Sequence, residues 1–497
     1  MEDKAIGGVP WMVLSYAGGR GISVLTTLVL ARLVAPADFG LLALATLATN
    51  FLYWVADMGF SGALVLEQDL DERGKGTLLT LITLSGVVAG LIALALSPVA
   101  ASVFNAPRLA PVLAVTAAGL PLGSVAGFWG AILQRELEFR VRFYSGIAQA
   151  VVAAAISIPL AILGAGVWSL VVGQLVSTVT LLAINMIGAP YRVRPRFDRA
   201  VARTAIATGR GFVGQGLFSY IRQQVDTVTV GAAFGTTQVG FYSMANKLGD
   251  LVYWMLGHPI AIVTFPSFAR QRSAGDDIRP AFLRVLAMVT LVSCPVGIIL
   301  SASAEPLTRV VFGDRWLPMA GPLAIMGLWA AARQIDTTIG WFLNSIGRAG
   351  AAAWLSVFVL PPLIIGCVIA AQVGDLTTVA LVPLADTLLS AVVGSVLAKR
   401  FAQLGYAEQW RALRPAVLAS APTWLAAWGI GRLLGPQHAL LGLPSSILAG
   451  VAVYVAAISI IEPGVVGRVL AQLMRMLGRG GADNSSVSER REAPIPT

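Results

Sequence analysis

The sequence predicts an all-α integral membrane protein of about fourteen helices, and three observations carry that expectation. Charged residues make up 12% of the chain, hydrophobic residues make up 57%, and mean hydropathy is +0.78. Soluble domains carry about 25% charged residues, so this chain has too little polar surface to solvate a globule of 497 residues. Apolar runs of bilayer-spanning length, roughly 20 residues each, recur from Trp11 almost to the C-terminal end. They are continuous and rich in Ala, Leu, Val and Gly, as in Gly76 to Phe104 and Leu418 to Leu434. Outer-membrane strands would instead be short and alternate in polarity, whereas small residues in long apolar runs suit helix packing in lipid.

In chain order, spans are expected near 9–33, 41–66, 76–104, 109–133, 143–164, 166–188 and 206–232, then 239–266, 282–303, 318–344, 350–372, 376–398, 415–434 and 443–461. Between them stand turn signals such as Ala35-Pro36, Gly188-Ala189-Pro190 and Gly435-Pro436. The chain opens Met-Glu-Asp-Lys and runs past Arg20 to Leu33 without a small-residue cleavage site, which reads as an uncleaved first helix. After Gly478 the tail is polar and aperiodic, and disorder is expected there. Cys294 and Cys367 both fall inside predicted spans, too few and too far apart for a metal site or a disulfide framework. They read as small buried hydrophobes, and no cofactor or metal is expected.

Basic residues set the orientation. The second loop and every other one after it carry Arg73, Lys75, Arg135, Arg140, Arg142, a run from Arg192 to Arg203, Arg270, Arg272, Arg279, Arg348, Lys399, Arg400, Arg411 and Arg414. The intervening loops carry Arg108, Arg309, Arg315 and Arg432. This asymmetry predicts a bacterial inner-membrane protein with both termini cytoplasmic. It also explains the formal charge of +10 without nucleic acid. The densest basic stretch, Tyr191 to Arg199, reads as a topology anchor on anionic headgroups or as a capture patch for a phosphorylated lipid.

An internal repeat divides the chain. Leu30-Ala-Arg-Leu-Val-Ala-Pro-Ala-Asp-Phe-Gly40-Leu corresponds to Val230-Gly-Ala-Ala-Phe-Gly-Thr-Thr-Gln-Val-Gly240-Phe. Gly130-Ala-Ile-Leu-Gln-Arg is echoed by Gly340-Trp-Phe-Leu-Asn-Ser. Both pairs join loops of one sidedness, so the copies insert in the same direction. Such repeats are a transporter architecture with the substrate site between halves. The expected organisation is a lobe over 1–200, a pseudo-symmetric lobe over 201–400, two extra helices over 401–465 and a disordered cytoplasmic tail over 466–497.

At these residues the chain resembles polysaccharide exporters, the lipid-linked oligosaccharide flippases of the multidrug/oligosaccharidyl-lipid/polysaccharide superfamily. The string ending at Gly40 resembles that family's N-terminal signature. Asp57-Met-Gly-Phe-Ser-Gly-Ala-Leu-Val65 and Gln134-Arg-Glu-Leu-Glu-Phe-Arg140 are similar to its second-helix end and its fourth-to-fifth loop. In the second half, Asp226, Gly231, Gly240-Phe-Tyr-Ser and Pro266 fall on its pattern. The resemblance, over roughly residues 9–400, implies a two-lobed bundle with a central cavity. It implies movement of an isoprenoid-diphosphate-linked oligosaccharide from cytoplasmic to outer leaflet for cell-surface polysaccharide or lipopolysaccharide biosynthesis, by alternating access. Expected partners are that lipid-linked oligosaccharide, membrane lipids, a polysaccharide polymerase and glycosyltransferases.

Polar side chains at bilayer depth mark candidate sites, because a charge there costs at least about 2.5 kcal/mol. The first span carries Ser15, Arg20 and Thr27, the second Asn50, Tyr53 and Asp57. Gln215, Ser219, Arg222 and Asp226 form one helical stripe, followed by Lys247, Asp250, Trp254 and His258 in the next span. Arg333, Asp336, Thr337 and Asn344 lie in the tenth. One reading makes Arg222 with Asp226, Lys247 with Asp250, and Arg333 with Asp336 neutralising pairs within single helices. The other makes Arg20, Arg222, Lys247 and Arg333, with Asn50 and Asn344, a lining for a diphosphate and acidic sugars. Arg20 ranks first, having no acidic residue in its own span. Asp57, Asp226, Asp250, Asp336 and Asp386 are candidates for binding a sodium ion or a proton. Asp386 stands in the apolar run Pro383-Leu-Ala-Asp-Thr-Leu-Leu and either pairs with another helix or titrates during transport. His258, before Pro259, reads as a core or interface histidine beside a kink.

Two other classes fit these residues less well. A drug or metabolite antiporter of the same superfamily needs an acidic cavity for cationic drugs, and here the candidates tilt basic. A membrane-embedded polymerase or glycosyltransferase needs a catalytic acid, base or metal site, usually on a sizeable loop. No loop is that long and the two histidines are His258 and His438, so an enzyme is not expected.

Overall fold

Three helix starts are set by aspartates that satisfy amides which the first turn leaves without partners. Asp71 accepts from the Gly74 amide at 2.7 Å ahead of α4 (Glu72–Val103), and Asp198 accepts from the amides of Ala200 and Val201 ahead of α9 (Arg199–Phe234). Asp375 and Thr378 cap one another ahead of α14 (Leu376–Ala402). The computed structural model describes the backbone of residues 2–57, 59–66, 70–257, 268, 271, 277–434 and 439–464. Side chains at 2–17, 63, 65, 66, 208–216, 349, 352, 353, 356 and 439 are outside that description, as are the predicted tail at 466–497 and His258.

Among the described residues every regular element is helical. The first half comprises α1 (Glu2–Leu33), α2 (Pro36–Asp57), α3 (Phe60–Leu66), α4, α5 (Leu109–Ala117), α6 (Gly119–Arg135), α7 (Phe139–Ile162) and α8 (Val167–Gly188). The second comprises α9, α10 (Thr236–Val252), α11 (Arg279–Ala302), α12 (Ala320–Ser345), α13 (Ala349–Val373), α14, α15 (Tyr406–Leu434) and α16 (Ala439–Ile461). The span expected over 41–66 is divided: Gly59, at φ 72°, takes the left-handed conformation open to glycine and separates α2 from α3. After α10 the helix widens into a π-turn over Tyr253–Gly257.

Among the described residues, eight helical segments have the length and hydropathy of a membrane span, so the chain is a multi-pass membrane protein. The other expected spans are helical as far as they are described; α10, at 17 residues, is short and passes into the π-turn. The expected count of about fourteen exceeds the eight described segments that qualify on length and composition. Apolar side chains such as Leu84, Val88 and Leu91 on α4 and Val392 and Val396 on α14 are exposed, as a lipid-facing surface requires.

Packing follows one order twice. α1 packs on α7, α7 on α8, α8 on α6 and α6 on α4; likewise α9 packs on α13, α13 on α14, α14 on α12 and α12 on α11. α15 and α16 pack on each other and on α11. The halves meet where α2 crosses α10. A Cβ at Gly40 would collide with the Thr236 carbonyl, and one at Gly240 with the Pro36 carbonyl. Glycine here brings two backbones into contact, and the two repeat glycines lie at the same end of the bundle. Leu41, Leu44, Phe241, Tyr242 and Trp316 fill the core around this crossing.

Candidate functional site

A cavity of about 980 Å³ opens within the first half, between α1, α2, α6, α7 and α8. Its walls are thinned by Gly123, Gly127, Gly130 and Gly146, which have no side chains, and by the small Ala150. Its polar lining includes Arg20, Gln134, Arg142, Gln149 and Asn185. The cavity reaches the end of the bundle that carries Arg135, Arg140 and Arg142. Its size is at the upper end of ligand sites, about 300–1,000 Å³. The Arg20 guanidinium lies 4.2 Å from the Trp254 ring, a cation–π contact that crosses from α1 to the π-turn after α10. Arg142 donates to Gln134 Oε1 at 3.0 Å.

A second polar cavity, about 230 Å³, lies within the second half. It is lined by the arginines Arg222 and Arg333 and by the acids Asp226, Asp250, Asp336 and Asp386. Arg222 donates twice to Asp386 Oδ2, from Nε at 3.0 Å and Nη2 at 2.7 Å, while Asp386 Oδ1 is buried without a hydrogen bond. Arg333 binds Asp250 at 2.5 Å and lies over the rings of Trp329 and Tyr253. Asp226 accepts from the Thr227 amide and the Tyr242 hydroxyl, both at 2.7 Å, and Asp336 accepts from Ser390 at 2.7 Å.

These contacts correct the pairing within single helices. Arg222 binds Asp386 rather than Asp226, and Arg333 binds Asp250 rather than Asp336. Lys247 donates to Thr27 on α1 at 2.9 Å instead of meeting Asp250. Side chains three or four apart on a helix are neighbours, but a face turned into a bundle meets acids on the opposing helix at closer range. The alternative that pairs Asp386 with another helix is the one observed. Asp57, at the end of α2, accepts from Ser61 at 2.5 Å. Asn50 is exposed on α2, and Asn344 near the end of α12 is half-buried; neither lines either polar cavity. The side chain of Gln215 lies outside the described residues. Cys294 and Cys367 are buried free thiols. Among the described residues no group of three or more His, Cys, Asp or Glu is placed to hold a metal.

Arg142, Gln149 and Asn185 escaped sequence reasoning as cavity residues. Arg142 sits beside a loop whose arginines already explained topology, and the two amides carry no charge signal. Tyr242 and Ser390 were missed because their partners lie on other helices.

The opposite end of the bundle is shut. Trp316, fully buried, donates its indole N–H to the Ala31 carbonyl at 2.8 Å, and Arg315 donates to the same oxygen at 2.5 Å. Arg32 donates to the carbonyls of Val310 and Val311. Phe39, Phe241 and Phe312 pack around the Trp316 ring.

The basic stretch after α8 is an extended strap laid on α4: the Arg196 amide donates to Gly76 O, and Thr80 donates back to Arg196 O. Tyr191 donates to Glu136 at 2.8 Å with Lys75 over its ring. Burial, and then that hydrogen bond, push the Tyr191 phenol up to about 12, so it remains a donor at neutral pH.

Comparison with known proteins agrees with this architecture. Residues 29–321 match a family described as polysaccharide biosynthesis protein. The chain is 28% identical to the succinoglycan biosynthesis transport protein ExoT of Rhizobium meliloti, over 70% of each chain. It is 24% identical to the lipopolysaccharide biosynthesis protein WzxC of Escherichia coli K12, over 88% of this chain and 90% of that one. In fold it is similar to the inward closed conformation of the lipid II flippase MurJ, with a TM-score of 0.74 at 14% identity over 91% of this chain and 99% of that one.

Proposed function

Because the chain belongs to the polysaccharide biosynthesis protein family, we propose that it flips an isoprenoid-diphosphate-linked oligosaccharide from the cytoplasmic to the outer leaflet of a bacterial inner membrane. The observation that carries this reading is the cavity of about 980 Å³ with Arg20 and Arg142 in its wall, reaching the basic end of the bundle and closed at the other. A diphosphate supplies the anion that guanidinium forks bind in two-point fashion. Gln134, Gln149 and Asn185 offer amides to sugar hydroxyls. The basic loops support cytoplasmic termini and an inward-facing state.

The repeated packing order supports two six-span lobes over 1–200 and 201–400, with α15 and α16 appended over 401–465. Alternating access then separates α2 from α10 at one end and closes α1, α6 and α7 at the other. The second cavity holds four acids against two arginines, which suits binding of a proton or a monovalent cation as the coupling step. Asp57 lies outside that cluster. A polymerase and glycosyltransferases fit as partners on either side of the transport step. The antiporter reading is weaker, since the larger cavity presents arginines rather than carboxylates, and the mechanism calls on no bond-making group.

Reconstitution tests the proposal. Vesicles containing a fluorescent isoprenoid-diphosphate oligosaccharide should show protein-dependent access of a membrane-impermeant quencher to label that began on the inner leaflet. Protein-dependent movement of phospholipid but not of this lipid would overturn the reading.

A further inference from the structure

A third cavity, about 480 Å³, lies at the closed end of the bundle between α11, α12, α15 and α16. One wall is a column on α15 in which Trp424, Trp428 and Arg432 follow one another at helical spacing. The two indoles are stacked with ring centroids 5.5 Å apart and planes 15° from parallel, and the Arg432 guanidinium lies 5.0 Å from the Trp428 ring. Facing atoms in full contact would sit about 3.5–4.0 Å apart, so the stack is offset and leaves parts of both ring faces open. Trp428 is 38% exposed. The Trp424 indole N–H donates to Ser301 Oγ at 3.2 Å, which fixes the column against α11. Across the cavity Arg309 is clamped between Glu305 at 3.1 Å and Asp314 at 2.9 Å. Gly321, Gly431 and Gly442 keep the remaining walls low.

We propose that this cavity is a saccharide-binding platform on the outer face, which holds sugar after it has crossed. An aromatic face takes the apolar C–H side of a pyranose, while a carboxylate and two guanidiniums at its edge take hydroxyls as both acceptors and donors. A phospholipid headgroup fits less well, because its phosphate meets the Glu305 carboxylate at the mouth. The fixed indole of Trp424 also differs from an interfacial anchor, whose N–H points to headgroups. The platform is separate from the transport cavity and shares no lining residue with it. It takes only its ligand class from the transport reading.

The test uses the full chain in nanodiscs of phosphatidylethanolamine and phosphatidylglycerol, with glucose, galactose and glucuronate as probes in saturation-transfer NMR. At least one sugar should receive saturation, reduced about two- to tenfold in Trp428→Leu, as loss of one aromatic contact implies, and reduced also in Glu305→Gln, which loses the charged acceptor. Glu305 is half-exposed, so Glu305→Gln should melt with the parent and guards against a merely unfolded Trp428→Leu protein. No transfer to any of the three sugars overturns the proposal, as does transfer at the parent level in both variants. Transfer to glycerophosphoethanolamine but to no sugar identifies a headgroup site and also overturns it. Leaflet movement of the lipid-linked oligosaccharide should persist in both variants, so the platform and the transport reading fail separately.

Discussion

Gly40 and Gly240 each press on the backbone of the other's helix, Gly40 against the Thr236 carbonyl and Gly240 against the Pro36 carbonyl. The contact is reciprocal and joins the two repeat segments at the closed end. Any side chain at either position must push α2 and α10 apart. Overpacking of this kind costs about 1–3 kcal/mol, enough to shift a two-state equilibrium about 5- to 150-fold. Gly40→Leu and Gly240→Leu should therefore favour the outward-open state. A Ser23→Cys reporter in the cavity wall should be silent to an external impermeant maleimide in the parent and react in either leucine variant. Unchanged external labelling would remove this crossing from the gate.

Arg222 and Asp386 form the most enclosed ion pair of the second cavity, with 21% and 6% of their side chains exposed. Removing one partner strands the other, at a cost of about 3–5 kcal/mol. Arg222→Met should lower the melting temperature markedly in detergent, and Arg222→Met with Asp386→Leu should recover most of the loss. If the double variant melts no higher than the single one, the pair is not coupled.

Arg20 is predicted to contact the anionic part of the substrate. A charge-assisted hydrogen bond is worth about 1.5–3 kcal/mol, so Arg20→Ala should slow leaflet movement at least about tenfold at normal membrane levels. Arg20→Lys keeps the charge but loses the planar fork and its stacking on Trp254, and should fall between. Full export by the Arg20→Ala protein would assign Arg20 to packing alone.

Topology is directly measurable. Single cysteines at Asn105 and Gly313 should label from outside intact cells, and those at Arg140 and Arg196 only after permeabilisation. Labelling of Arg140→Cys in intact cells would invert the inward-facing assignment.

Fold class and multi-pass character were legible in the sequence because they rest on quantities that accumulate along the chain. Hydropathy sums over a span, basic residues sum over loops, and the turns ending at Gly40 and Gly240 recur as strings. The same reading found which helices carry charge, yet one of its two alternatives paired Arg222 with Asp226 and Arg333 with Asp336 when their partners stand 164 and 83 residues away. Which acid meets which base depends on how helices are rotated against one another, and no local period encodes that. Arg142 joined the cavity for the same reason: only the approach of α6, α7 and α8 turns an arginine in the first turn of α7 into a wall. Local chemistry thus determined what the helices are. The tertiary structure decided which side chains share a cavity, because that follows from interhelical packing over distances the sequence does not display.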